Sequence, residues 1–122
     1  MNDLVRALHQ HFGHTAFRDG QQELVETVLA GQDLLAVMPT GSGKSLGFQL
    51  PALLLQGTTL VVSPLISLMK DQVDELNRRG IRALALHSAL SSDARRDAVQ
   101  RARTGECQLL YVTPERFASD HF

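Results

Sequence analysis

The sequence predicts an α/β fold built on a parallel β-sheet. Two observations carry the expectation. Short apolar runs alternate with segments of helical period along the chain, and a glycine-rich turn stands between the first run and the helix after it. A third observation bounds it: 122 residues, 43% of them hydrophobic and 20% charged, have the size and make-up of one globular domain. The same numbers exclude disordered, collagen-like and coiled-coil classes. Strands separated by helices connect by right-handed crossovers and lie parallel.

Taken in order, Asn2 or Asp3 caps a first helix that runs to about Phe12, with Leu4, Val5 and Leu8 on one face. A second helix covers about Gln21 to Ala30, its apolar face made by Leu24, Val25, Val28 and Leu29. Gly31 follows as the residue that turns the chain. Leu34 to Met38 reads as a buried strand. A helix from Lys44 to about Leu55 comes next, with a kink or break expected near Leu50 because Pro51 lies too deep for a first-turn proline. Thr59 to Ser63 is the second strand, Leu65 to Arg79 a long helix closed by Gly80, and Ala83 to Leu86 the third strand. Ser91 or Ser92 opens a helix ending near Thr104-Gly105. Leu109 to Thr113 is the fourth strand, and Pro114 fits the first position of a short last helix.

Ligands of such sheets bind at the carboxyl ends of the strands. That rule points to Met38–Ser45, Ser63–Leu65, His87–Ser88 and Thr113–Glu115. The first of these, Met38-Pro39-Thr40-Gly41-Ser42-Gly43-Lys44-Ser45, has the strand–turn–helix context of a phosphate-binding loop. Gly41 and Gly43 let backbone N–H groups point inward with no Cβ in the way. The following helix N-terminus adds its dipole. Lys44 is a point charge for the β- and γ-phosphates, and the Ser45 hydroxyl suits Mg²⁺. The general pattern has glycine six residues before the lysine, where this chain has Met38. Upstream, Gln21 and Gln22 carry amides able to donate and accept at once, which suits the edge of an adenine, but either also reads as an ordinary helix residue.

Charge and composition exclude further classes. The longest apolar stretches are about five residues, too short to cross a membrane, and the first residues lack the apolar core of a secretory signal. The lone Cys107 has no internal partner, which fits a reducing compartment. Net charge is −1, so any nucleic-acid binding has to be local. Arginines crowd the stretch from Arg78 to Arg103 with acids between them, the pattern of helix faces in water. His9 and His11 face different sides of a helix, so metal ligation is not expected. Met69 and Phe48 read as core, and Ser88 as a loop hydroxyl.

Four segments together carry a resemblance. Phe12-Gly13 through Phe17-Arg18-Asp19-Gly20-Gln21 resembles motif 0 of the RecQ family of superfamily 2 DNA helicases. Met38 to Ser45 resembles that family's motif I, in which Met-Pro-Thr-Gly is common. Ser63-Pro64-Leu65-Ile66-Ser67-Leu68-Met69-Lys70-Asp71-Gln72-Val73 resembles motif Ia, and Tyr111-Val112-Thr113-Pro114-Glu115-Arg116-Phe117 the Thr-Pro-Glu-Arg segment, motif Ib. The motifs stand in the family's order from Phe12 to Phe117.

The resemblance implies a P-loop NTPase, RecA-like fold: a three-layer αβα arrangement with a parallel sheet, incomplete on its C-terminal side. It implies an ATP-dependent 3′-to-5′ DNA helicase that unwinds duplex DNA in replication, recombination or repair, with ATP and Mg²⁺ as cofactors. Single-stranded and duplex DNA are the expected partners, with no membrane. The implied location is the cytoplasm, at the nucleoid in a bacterium, with the nucleus left open. Gln21 would contact the adenine edge with Arg18 beside the base. Thr40, Gly41, Ser42 and Gly43 would cradle phosphate, with Lys44 as the catalytic cation and Ser45 on Mg²⁺. Ser63, Pro64, Leu65, Lys70, Thr113, Glu115 and Arg116 would contact single-stranded DNA, through backbone amides and small hydroxyls that need little net charge.

Two positions depart from the family pattern. His14 stands where tyrosine is frequent, a weaker ring for stacking on the base. Leu46-Gly47-Phe48 replaces Leu-Cys-Tyr. The family's Asp-Glu-Ala-His motif is expected just after Phe122, and its second RecA-like, zinc-binding and winged-helix domains beyond that. None of the predicted strands is followed by an Asp-Glu pair, so weak nucleotide binding and essentially no hydrolysis are expected of these 122 residues alone. The family also places later strands beside the P-loop strand. The remaining readings are a non-catalytic nucleotide- or partner-binding fragment and an RNA helicase of the DEAD-box kind. The latter typically has Pro-Thr-Arg-Glu-Leu-Ala where this chain has Ser-Pro-Leu-Ile-Ser-Leu.

Overall fold

Three short strands, β1 (Thr59–Val62), β2 (Ala83–Leu86) and β3 (Leu109–Val112), form one parallel sheet in the order β1-β3-β2. The computed structural model describes residues 3–37 and 45–118, and the chain divides into two compact units, Met1–Gln56 and Gly57–Phe122.

The first unit is helical. In α1 (Asp3–Phe12) the residues Ala7, Leu8 and Phe12 are buried, adjacent Ala7 and Leu8 with Phe12 about one turn further on the same face. Helix α2 (Gln21–Leu29) follows Gly20, whose φ of 82° is left-handed and open to glycine at little cost. Gly31, with φ of 76°, turns the chain at its other end, as the sequence indicates. Helix α3 (Leu46–Leu54) packs on α2. The approach is close: a Cβ on Gly47 would stand 3.1 Å from Leu24 Cδ1.

Two expectations are corrected in this unit. Of the kink or break expected near Leu50, the break is not formed: the helix runs through Pro51 as one element. Pro51 removes one N–H from the ladder, but Leu50, Pro51 and Ala52 are all buried, and Leu55 N–H still donates to Pro51 O at 2.9 Å. Packing offsets the missing bond. The predicted strand at Leu34–Met38 is not formed: residues 34–37 have no regular structure, and Leu35 and Val37 are 91% and 90% exposed. A strand needs a neighbour for its N–H and C=O groups, and among the described residues this segment has none. Among the described residues the sheet therefore has three of the four expected strands. Met38 to Lys44, which hold the predicted phosphate loop, lie outside the described residues.

The second unit is a three-layer sandwich. Helix α4 (Ile66–Arg78) leads from β1 to β2, and α5 (Ser92–Arg103) leads from β2 back to β3. The first crossover passes over β3 and the second returns, so right-handed connections put the two helices on opposite faces. The side chains agree. Tyr111 reaches the α4 side, where its hydroxyl bonds to Gln72 Oε1 at 2.8 Å, whereas Leu86 and Val112 cluster with Ala98 of α5. Central β3 is the most enclosed strand: Leu109, Tyr111 and Val112 are at most 1% exposed. Asn77 on α4 brackets the start of β2, accepting from Ala83 N–H and donating to Ala83 O, each at 3.2 Å. A 3₁₀ helix, Pro114–Ala118, follows β3. No helix among the described residues is long and apolar enough to cross a membrane.

Candidate nucleotide and nucleic-acid contacts

In the first unit, the turn before α2 is closed by a reciprocal pair of hydrogen bonds. Arg18 N–H donates to Gln21 Oε1 at 2.7 Å, and Gln21 N–H donates to Arg18 O at 3.0 Å. This satisfies orphan donors of the first helical turn. It also buries Gln21, leaving it 5% exposed, with its amide plane fixed from the Oε1 side. The structure thus brings together two predicted nucleotide residues, Arg18 and Gln21. His14 is exposed. Ser45 opens α3: its backbone is already helical, and its carbonyl accepts from Phe48 and Gln49 N–H. Its place at a helix N-terminus is an anion-favouring position. Thr40, Gly41, Ser42, Gly43 and Lys44 lie outside the described residues. Phe48 is half-buried, between the core position expected and the surface.

In the second unit, parallel strands in register put three turns on one edge. Val62, Val112 and Leu86 stand level, so the residues after them begin side by side, with neighbouring strands about 4.8 Å apart. Thr113 follows the central strand, Ser63 one neighbour and His87 the other. Ser63 N–H donates to Val112 O at 3.0 Å, and its Oγ accepts from Leu65 N–H at 3.2 Å, which shapes the Ser63-Pro64-Leu65 turn. Pro64, Leu65, Lys70 and Glu115 are exposed. Thr113 is 1% exposed, so its side chain is enclosed rather than presented at the surface. Its carbonyl accepts from Arg116 N–H at 3.1 Å.

Two polar atoms of this turn are buried without a hydrogen-bond partner among the described residues: Thr113 Oγ1 and Arg116 Nε. Such atoms are uncommon, and each costs about 1–3 kcal/mol. They fall three residues apart, just after the end of the central strand, where parallel sheets bind ligands. His87 is buried, and its Nδ1 accepts from Ala89 N–H at 3.2 Å, so it holds the turn after β2.

A groove of about 700 Å³ between α4 and β2 was not anticipated from the sequence. Lys70, Asp74, Asn77 and His87 line it with Ile66 and Leu84. Its sequence signal is the spacing of residues 66, 70, 74 and 77 along one side of α4. Cys107 is buried, and burial raises its thiol above the ordinary value. That removes it from the nucleophiles.

The model of the DEAD/DEAH box helicase family matches residues 18–122. The ATP-dependent DNA helicase RecQ of Haemophilus influenzae is 49% identical over 118 residues, covering 97% of this chain and 19% of that protein. The probable ATP-dependent DNA helicase RecS of Bacillus subtilis is 44% identical over 122 residues, covering 99% and 24%. The chain therefore spans only about a fifth to a quarter of the length of these relatives. A crystal structure of a hypothetical ATP-dependent RNA helicase from Sulfolobus tokodaii superposes with a TM-score of 0.76 and 21% identity, over 97% of this chain and 35% of that one. At that identity the likeness speaks for the fold.

Proposed function

The chain belongs to the DEAD/DEAH box helicase family, and from that membership we propose that it is the ATP-binding portion of a RecQ-type, ATP-dependent DNA helicase. The relatives named as DNA helicases support the substrate class. The observation that carries the reading is the edge of the sheet in the second unit. Three level turns meet there, and Thr113 Oγ1 and Arg116 Nε are buried without partners among the described residues. A single strand laid along this edge would meet the Ser63-Pro64-Leu65 turn, Lys70, and the Thr113-Pro114-Glu115-Arg116 turn. The contacts are backbone and small polar groups, which position phosphate without reading sequence. Direction of movement, 3′ to 5′, follows from the resemblance.

The nucleotide side rests on Gln21, Arg18, His14 and the segment from Thr40 to Ser45. The donor set fits a nucleoside triphosphate: one ammonium at Lys44, hydroxyls at Thr40, Ser42 and Ser45, and an anion-favouring helix start at Ser45. Ser45 would hold Mg²⁺ through the bound triphosphate. The metal would neutralise charge on the β- and γ-phosphates when bound. Lys44 holds a fixed positive charge for the same oxygens. Gln21, its amide fixed by Arg18 N–H at 2.7 Å, orients the base.

Two measurements on the intact protein test this. Lys44→Ala is expected to abolish binding of a fluorescent ATP analogue and any DNA-stimulated phosphate release. Unchanged turnover in that variant sinks the nucleotide assignment. Combined Lys70→Ala, Thr113→Ala and Arg116→Ala is expected to weaken single-strand affinity about tenfold or more. Unchanged affinity in a folded triple variant sinks the nucleic-acid edge.

A further inference from the structure

The arginines between Arg78 and Arg103 are not alike. Arg78 and Arg79 both pair with Glu75, and Arg101 pairs with Asp97 at 3.9 Å and Glu106 at 3.3 Å. These are solvated helix faces, as the sequence indicates. Arg95, Arg96 and Arg103 differ: none is within 4 Å of a carboxylate among the described residues. The three share one side of α5, at spacings of one, seven and eight residues, and line a shallow groove of about 380 Å³ with Ser92, Val99 and Gln100. The helix sorts its charges. Asp93, Asp97 and Arg101 recur every four residues on another side.

Arg95 ties this face to the sheet edge. Its Nη2 donates to Leu90 O at 3.3 Å, in the loop after β2, while its Nε is buried with no partner among the described residues. Because α5 begins where that loop ends, Ser92, Arg95 and Arg96 sit at the carboxyl edge of the sheet. Leu86 of β2 is level with Val112 of β3, so this loop begins one strand away from Thr113. Arg103 lies about 11 Å further down the helix axis.

We propose that the Arg95, Arg96 and Arg103 face of α5 is a phosphate track that carries nucleic acid from the strand-end turns down the side of the sheet. The inference rests on the nucleic-acid reading of those turns and extends it. Guanidinium forks bind phosphate oxygens bidentately, and the Ser92 hydroxyl and Gln100 amide are typical backbone contacts. A protein partner is the poorer fit. Apart from Val99 the groove offers no apolar anchor, which protein interfaces use at their centre.

The test uses the intact protein and a fluorescein-labelled oligothymidylate, with binding followed by anisotropy across a salt series. Arg96→Gln with Arg103→Gln keeps helix propensity and touches only exposed residues. The expected result is about tenfold weaker binding and a log–log salt slope shallower by about 1.4, or 0.7 for each lost phosphate contact. A second variant, Arg78→Gln with Arg101→Gln, removes the same charge elsewhere and is expected to leave the slope within error of wild type. Equal slopes in the two variants overturn the track, since net charge would then explain both. An unchanged slope in Arg96→Gln/Arg103→Gln, in a protein whose binding does fall with Arg116→Ala, overturns the track while the strand-end reading stands. No binding by the wild-type protein overturns both. Displacement of the oligonucleotide by polyglutamate, lost in the same arginine variant, overturns the nucleic-acid assignment in favour of an acidic protein surface.

Discussion

At the scale of single residues, placement decides what a side chain can do. Gln21 stands out in the sequence for an amide that both donates and accepts. In the structure its oxygen already accepts the Arg18 N–H, so the same group that is proposed to meet a base also closes a helix start. Cys107 is a contrasting case. It is 3% exposed, and burial raises its thiol above the ordinary 9.0, with the Thr58 hydroxyl and the charges of Arg101 and Arg82 acting the other way. A group whose folded pKa is raised contributes stability that is complete below its unfolded value and lost as pH rises through the folded one. The expected outcome is that wild type loses more of its urea midpoint than Cys107→Ala between neutral pH and about pH 10. A thiol reagent should label Cys107 slowly in buffer and rapidly in urea. Prompt labelling of the native protein contradicts the burial on which both expectations rest.

Elements show which local signals were legible. Ser91 was one of two candidates to open α5, and it is the cap: its Oγ accepts from Ala94 N–H at 3.1 Å. Ser91→Ala should cost about 1 kcal/mol, read as a lower urea midpoint with an unchanged slope. Ser92→Ala, one residue on, should cost little by the same measure. A capping serine, the glycines at positions 31, 80 and 105, helical spacing and short apolar runs are local signals, and they located α2, α4, α5 and all three strands. The failures were of a different kind. Leu34–Met38 carries a strand's composition, but composition supplies no hydrogen-bond partner, and among the described residues none stands beside 34–37. Pro51 has a helix-breaker's chemistry, and burial of Leu50 and Ala52 around it outweighs that. The strand-end turns were legible because a parallel sheet forces its loops to one edge. The unpaired face of α5 was not, because which arginines find a carboxylate depends on packing and not on spacing alone.

For the sheet as a whole, stability is concentrated in its last strand to be made. β3 pairs with β1 on one side and β2 on the other, whereas β1 and β2 do not pair with each other. The crossover over the gap between β1 and β2 therefore closes only when β3, about 50 residues after β1 in sequence, arrives between them. Side-chain burial follows the same order: Leu109 of β3 is 0% exposed, and Leu60 of the edge strand β1 is 45% exposed. Leu109→Ala should cost about 2–5 kcal/mol, because its neighbours are held by pairing on both sides and cannot close the cavity. Leu60→Ala should cost well under half as much, since water already reaches its side chain. Equilibrium urea unfolding by circular dichroism compares the two. Similar costs would mean that the edge strand carries as much of the sheet as the central one. The strand-end turns would then be propped by β1 as much as by β3, and the assignment of the Thr113 turn as the fixed centre of that edge would fall.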